Sequence, residues 1–336
     1  MSEETVPIYT VSSAPHAHSG ASVRGIMLDV IIALTPAMLA ATYFFGWHAI
    51  RLLLVCVIGC VATEAACRKL MGRNLAIDDL SAVVTGILLA FNLPPSLPTG
   101  YALFGCVVAI AIAKQVFGGI GYNPFNPALI ARVALLVSFP AAMTRWHSPL
   151  NPDRWTSLGW IDAATTATPL DLVKTAVTSG ETLPFSWDGS MAMRFFVGNM
   201  DGCIGEVSAL ALLLGAAYLL WRRCISWHIP GTYIATVAIL AGMLRVINPS
   251  ANMPLTFHLL AGGLMLGALY MATDMTTSPL TKRGQIIYGI GCGLLTMVIR
   301  RWGGYPEGVS FAILLMNAVT PLINQYTQLG VYGHKA

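Results

Sequence analysis

Ten apolar stretches, each about the length of a bilayer-spanning helix, fill most of the chain. They cover residues 23–45, 47–67, 80–93, 101–117, 127–146, 203–221, 229–247, 255–271, 285–300 and 309–323. A hydrocarbon core about 30 Å thick takes about 20 apolar residues of helix. The pattern therefore predicts an all-α integral membrane fold with about ten transmembrane helices. Stretch 80–93 is short and runs into Pro94, Pro95 and Pro98. This predicts a broken helix whose freed backbone groups face protein rather than lipid.

Charge content agrees. Only 10% of the 336 residues are charged, against about 25% in soluble domains. The net charge of +4 is spread out, without a basic run that would bind nucleic acid. Residues 1–22 lack the charged, apolar and small-residue order of a cleaved signal peptide. None of the seven cysteines falls in a CxxC pair, which disfavours disulfides and a self-contained iron–sulfur site. His16, His18, His48, His228 and His258 show no metal-ligand spacing, so no metal site is read.

Basic residues set orientation. Arg68, Lys69 and Arg73, Arg222 and Arg223, and Lys282 and Arg283 fall in loops that alternation places on one side. That side is then the cytoplasm, and Arg24 and Lys335 put both termini there. Arg300 and Arg301 violate the pattern. Residues 147–200 become an extracytoplasmic loop.

Short matches recur five stretches apart. Lys114-Gln115-Val116-Phe117-Gly118-Gly119 answers Ile299-Arg300-Arg301-Trp302-Gly303-Gly304. Phe139-Pro140 answers Thr320-Pro321, and Thr85-Gly86 answers Gly262-Gly263. Repeats with an odd number of helices insert upside down, so the fold is expected to be two inverted five-helix repeats with broken helices near the midplane. The division is a tail at 1–22, halves at 23–146 and 201–324, the loop at 147–200 and a tail at 325–336. This symmetry also accounts for Arg300 and Arg301, which become counterparts of the region around Lys114 on the opposite face.

Several residues carry possible chemistry. The Gly118–Ala128 loop holds three glycines and two Asn-Pro pairs. It reads either as a turn capping the fifth helix, with Asn126 at the N-cap and Pro127 at the first position, or as free backbone groups lining a cofactor or ion path. Residues 273–279 form a second break. Asp29 lies within the first apolar run, as an intramembrane functional acid or near the interface. Glu64 and Glu206 fall near run ends and are expected at the interface. Thr168, Pro169 and Asp171 read as a helix start.

The chain resembles, almost end to end, the D-type membrane subunits of the Rnf/Rsx ion-translocating oxidoreductase complexes. More distantly, it resembles the B-type membrane subunits of the sodium-pumping NADH:quinone oxidoreductases. The resemblance is carried by Tyr43-Phe44-Phe45-Gly46-Trp47, Asn123-Pro124-Phe125-Asn126-Pro127-Ala128, Ser226-Trp227-His228-Ile229-Pro230 and Gly303-Gly304-Tyr305-Pro306-Glu307-Gly308-Val309. It implies FMN bound covalently through a motif that Asp162, Thr165, Ala167 and Thr168 fill here, with Ala163 where the family often has Gly. Thr168 is then the attachment residue, joined to FMN by a phosphoester that a separate flavin transferase forms. The resemblance further implies electron relay through this FMN, coupling NADH/ferredoxin electron transfer to Na⁺ or H⁺ translocation. It places the chain in a bacterial inner membrane among the other proteins of a complex, with the flavin loop periplasmic. The interface between the halves, near the two breaks, is the expected ion path and a place for a second, noncovalent flavin such as riboflavin. A stand-alone transporter or channel without flavin would show the same repeats, and only the 162–168 motif and the wider resemblance separate the two.

Overall fold

The computed structural model describes residues 22–74, 77–146, 148–150, 152–155, 167–180, 183–206, 208–249, 252–305 and 307–328. Among these, all regular structure is helical. The apolar stretches become α1 (Val23–Phe45), α2 (Trp47–Leu70), α3 (Ser81–Phe91), α4 (Thr99–Gln115), α5 (Pro127–Ser138), α6 (Ala209–Trp221), α7 (His228–Ile247), α8 (Leu255–Leu260, then 264–271), α9 (Lys282–Trp302) and α10 (Val309–Tyr326). Of these, α1, α2, α7 and α10 are long and apolar enough to cross a membrane, while α3 to α6 are apolar but shorter. Leu39, Ile58, Ile239 and Leu322 stand exposed on their outer faces. Such a surface suits lipid and not water.

Local chemistry explains the helix ends. Ser22 Oγ caps α1 by accepting from the Gly25 N–H at 3.1 Å. Gly46, at φ +60°, turns the chain directly into α2, and a side chain there would meet the Arg154 carbonyl. Prolines stop α3 at Phe91, and Arg51 satisfies the freed Pro95 and Leu97 carbonyls at 3.2 and 2.9 Å. Asn126 Oδ1 accepts from the Ala128 and Leu129 N–H groups, with Pro127 at the first position of α5, as the sequence predicts.

Three expectations need correction. The sixth helix starts at Ala209, because residues 204–206 form a separate 3-10 turn. The eighth stretch is interrupted at 261–263, where Gly262 takes φ +73°. The Gly262-Gly263 pair is thus a break, whereas its proposed match Gly86 is helical and packs on α2. The Thr320-Pro321 match also differs: Pro321 lies inside α10, while Pro140 follows the end of α5.

Small residues set the packing. Gly289 and Gly293 of α9 meet Thr232 and Thr236 of α7, and Gly215 of α6 lies against the Ala33 carbonyl of α1. Close backbone approach through small residues is how helices associate in lipid. Contacts of α2 with α3 and α4, and of α4 with α5, recur as contacts of α7 with α8 and α9, and of α9 with α10.

Candidate functional site

The two breaks meet at one cavity of about 320 Å³. The 120–128 loop supplies Asn123 and Asn126, and the second break supplies Thr273 and Asp274. Lys114 and Tyr270 add polar groups, while α1 and α3 contribute apolar wall. Asn126 ties the breaks together, since its Nδ2 donates to the Met271 carbonyl at 3.3 Å. Thr277 donates to Asp274 Oδ2 at 3.1 Å.

Lys114 anchors the wall of this cavity. Its Nζ lies 2.9 Å from Glu64 Oε1 and donates to Ser81 Oγ at 2.6 Å. Gln115 Nε2 donates to Glu64 Oε1 at 2.6 Å, and Arg68 approaches the same oxygen at 3.6 Å. Glu64 is fully buried within the protein. Lys114, a cation from a helix distant in sequence, pairs with it there. Asp29 pairs with the half-exposed Arg222 at 3.2 Å and accepts from Tyr218 at 2.8 Å, joining α1 to the end of α6.

The attachment motif is described only in part. Asp162 and Thr165 lie outside the described residues, while Ala167 and Thr168 lie within them. Thr168 caps the helix Pro169–Ser179 with extended backbone (φ −61°, ψ 150°), and its Oγ1 accepts from the Asp171 N–H at 3.2 Å. The sequence predicts this helix start. Lys174 fastens the helix to the end of α9 by donating to the Tyr305 and Ile299 carbonyls at 2.7 and 3.4 Å. Burial holds the Lys174 ammonium below its ordinary pKa, with Asp171 opposing. Thr168 itself is buried and lines a crevice of about 10 Å³ with Glu206, Gly262 and Glu307.

A charge cluster lies at this crevice. Arg132 of α5 donates to Asn92 Oδ1 at 2.7 Å and to Glu307 Oε2, and stands 3.5 Å from Glu206 Oε1. Arg300 donates to the carbonyls of His258, Ala261 and Glu307 at 2.7, 3.1 and 3.2 Å. Arg300, one of the two arginines that break the charge pattern, is thus an interior structural residue. Glu206 is also buried, and Arg132 of α5 reaches it. Sequence reading missed Arg132 and Glu307 as site residues. An arginine inside the apolar run 127–146 was the available signal.

Residues 10–333 match the NQR2, RnfD, RnfE family. Three relatives are D-type members of ion-translocating complexes. The first belongs to the Na⁺-translocating ferredoxin:NAD⁺ oxidoreductase complex of Acetobacterium woodii; the chain is 50% identical to it over 329 residues, covering 96% of this chain and 95% of the relative. The second belongs to the proton-translocating ferredoxin:NAD⁺ oxidoreductase complex of Clostridium ljungdahlii, at 44% identity over 326 residues, covering 97% and 96%. The third belongs to the ion-translocating oxidoreductase complex of Halorhodospira halophila, at 40% identity over 341 residues, covering 96% and 94%.

Proposed function

We propose, from the premise that this chain belongs to the NQR2, RnfD, RnfE family, that it is the D-type member of a membrane complex coupling ferredoxin:NAD⁺ electron transfer to ion movement. The observation that carries this is the 50% identity, across nearly both whole chains, with the D-type member of a Na⁺-translocating ferredoxin:NAD⁺ oxidoreductase complex. The chain is a multi-pass membrane protein, and the other proteins of the complex are its partners. Bacterial inner membrane, cytoplasmic termini and a periplasmic loop at 147–200 complete the reading.

The proposed cofactor is FMN, joined to Thr168 by a phosphoester that a flavin transferase makes. FMN, when bound, supplies one- and two-electron redox chemistry. The residues present fit its phosphate. Thr168 sits at a helix N-terminus, where free N–H groups and the helix dipole favour an anion. Pro169 holds Thr168 extended, with its side chain at the crevice. Asp171 opposes the charge. The crevice of about 10 Å³ is far too small for the ring system, which therefore lies outside it.

The ion path is proposed to run between two inverted five-helix halves, through the cavity where the breaks meet. The recurring contacts of α2–α5 and α7–α10 support the repeat. At about 320 Å³ the cavity falls in the size range of small-molecule sites, which supports placing the second, noncovalent flavin there. Its mostly apolar wall would exclude water, while Lys114, Asn123 and Asn126 supply donors.

In-gel flavin fluorescence after denaturation tests the cofactor assignment. Wild type is expected to fluoresce and Thr168→Val to lose the signal. Absence from both would favour a transporter without flavin, and persistence in the variant would move the attachment elsewhere.

A further inference from the structure

We propose that Glu206 and Glu307 form a sodium-type cation site where the two halves meet beneath Thr168, with Arg132 as its resident counter-ion. This rests on the reading of the chain as part of an ion path.

The donor geometry is the first support. One carboxylate oxygen from each of Glu206 and Glu307, and Cys203 Sγ, lie within 4.8 Å of one another. Hard cations of sodium or calcium size bond oxygen at about 2.4 Å, so two oxygens that close can share one ion. The thiol is soft and donates to the Asn92 carbonyl at 3.4 Å, which leaves the two carboxylates as the ligands.

Unmet bonding capacity is the second. Glu206 is only 5% exposed and lines the crevice. Its Oε1 accepts no hydrogen bond. Arg132 Nη2 stands 3.5 Å from that oxygen, an ion-pair contact without hydrogen-bond geometry. Glu307 Oε1 also accepts none. Buried carboxylate oxygens without donors are costly in a low dielectric, and a cation is their natural complement. The crevice, at about 10 Å³, accepts an occupant about the size of one water.

Charge balance selects the valence. The groups facing the carboxylates are Arg132 from α5 and Arg300 from α9, with Asp201 on the crevice wall. Arg132, Arg300, Glu206, Glu307 and Asp201 sum to −1. Arg300 commits its donors to three carbonyls, so Arg132 alone pairs with the carboxylates. A divalent ion would leave one uncompensated charge in this interior, and a monovalent ion none. Arg132 competes with that ion for the same oxygens. Competition keeps binding weak enough for release, which a conduction site requires.

The test uses the wild-type assembled complex. Dicyclohexylcarbodiimide modifies accessible buried carboxyls, and peptide mass spectrometry reads modification at Glu206 and Glu307. At sodium ten times the dissociation constant only about a tenth of sites stay free, so labelling should slow about tenfold relative to equal potassium. Equal rates in the two salts, a rate that follows pH alone, or no modification in any salt would each overturn the proposal. Sodium uptake per electron then separates this proposal from the path reading. Glu206→Gln should lower it as Asp274→Asn in the central cavity does. A loss with Asp274→Asn alone removes this site and leaves the path. If neither variant lowers uptake, both readings fall.

Discussion

Replacing Lys114 by Met removes a buried ammonium while keeping an unbranched apolar stem. In the native protein that ammonium lies 2.9 Å from Glu64 Oε1, with side-chain exposures of 3% and 0%. Removing one partner of such a pair costs about 3–5 kcal/mol, because a charge is left buried. Gln115 at 2.6 Å and Arg68 at 3.6 Å remain beside Glu64. They hold the cost of Lys114→Met to about 3 kcal/mol. Glu64→Gln leaves the ammonium beside the Ser81 hydroxyl and should cost more, about 4–5 kcal/mol. The double variant carries neither charge, so it should cost less than either single, with a coupling of at least about 4 kcal/mol. Reversible unfolding in mixed detergent, followed by tryptophan fluorescence, measures all three. Single costs below about 1 kcal/mol that simply add would mean a solvated pair, and would refute the reasoning from burial.

Other expectations follow from single positions. A Cβ at Gly215 would overlap the Ala33 carbonyl and the Tyr270 hydroxyl. Gly215→Val should therefore force α6 from α1 and cost roughly 3 kcal/mol or more, read as a lowered thermal midpoint. Thr85 lines the central cavity, so Thr85→Trp should fill it. The purified complex should then lose flavin released on denaturation while keeping covalent fluorescence. Asp188 caps the helix Gly189–Val197, and the Met191 N–H, then the Ser190 hydroxyl, hold its carboxyl below the usual range. That contribution is present above the unfolded carboxylate pKa of about 3.9 and is lost as pH falls through the lower folded value. Amide exchange across the first turn should accelerate only at that acid limit, and Asp188→Asn should abolish the acid step.

Local signals in the sequence were the legible ones. The apolar run 23–45 coincides with α1, and Asn126-Pro127 and Thr168-Pro169 mark helix starts that form as read. Each depends on a residue and its neighbours within a turn. The breaks at 92–98 and 118–126 were visible for the same reason, through Pro and Gly. The convergence of the 120–128 and 273–276 segments on one cavity was expected from the repeat, although the Gly262-Gly263 match supporting it differs in conformation. Partner choice was not legible. Glu64 and Glu206 sit near run ends, and distance from the run centre says nothing about which cation a distant helix brings. Lys114 opposite Glu64, and Arg132 between Glu206 and Glu307, exist only after packing. A search for opposite charges at equal depth in different runs would have found the first pair.

The central claim is that this chain carries electrons and couples them to ion movement within a larger complex. Proteoliposomes holding the assembled complex, supplied with reduced ferredoxin and NAD⁺, test it most directly when NADH formation and ion uptake are recorded together. Wild type should show both, and Thr168→Val should lose both while the complex remains assembled. Undiminished NADH formation and uptake in that variant would contradict the account.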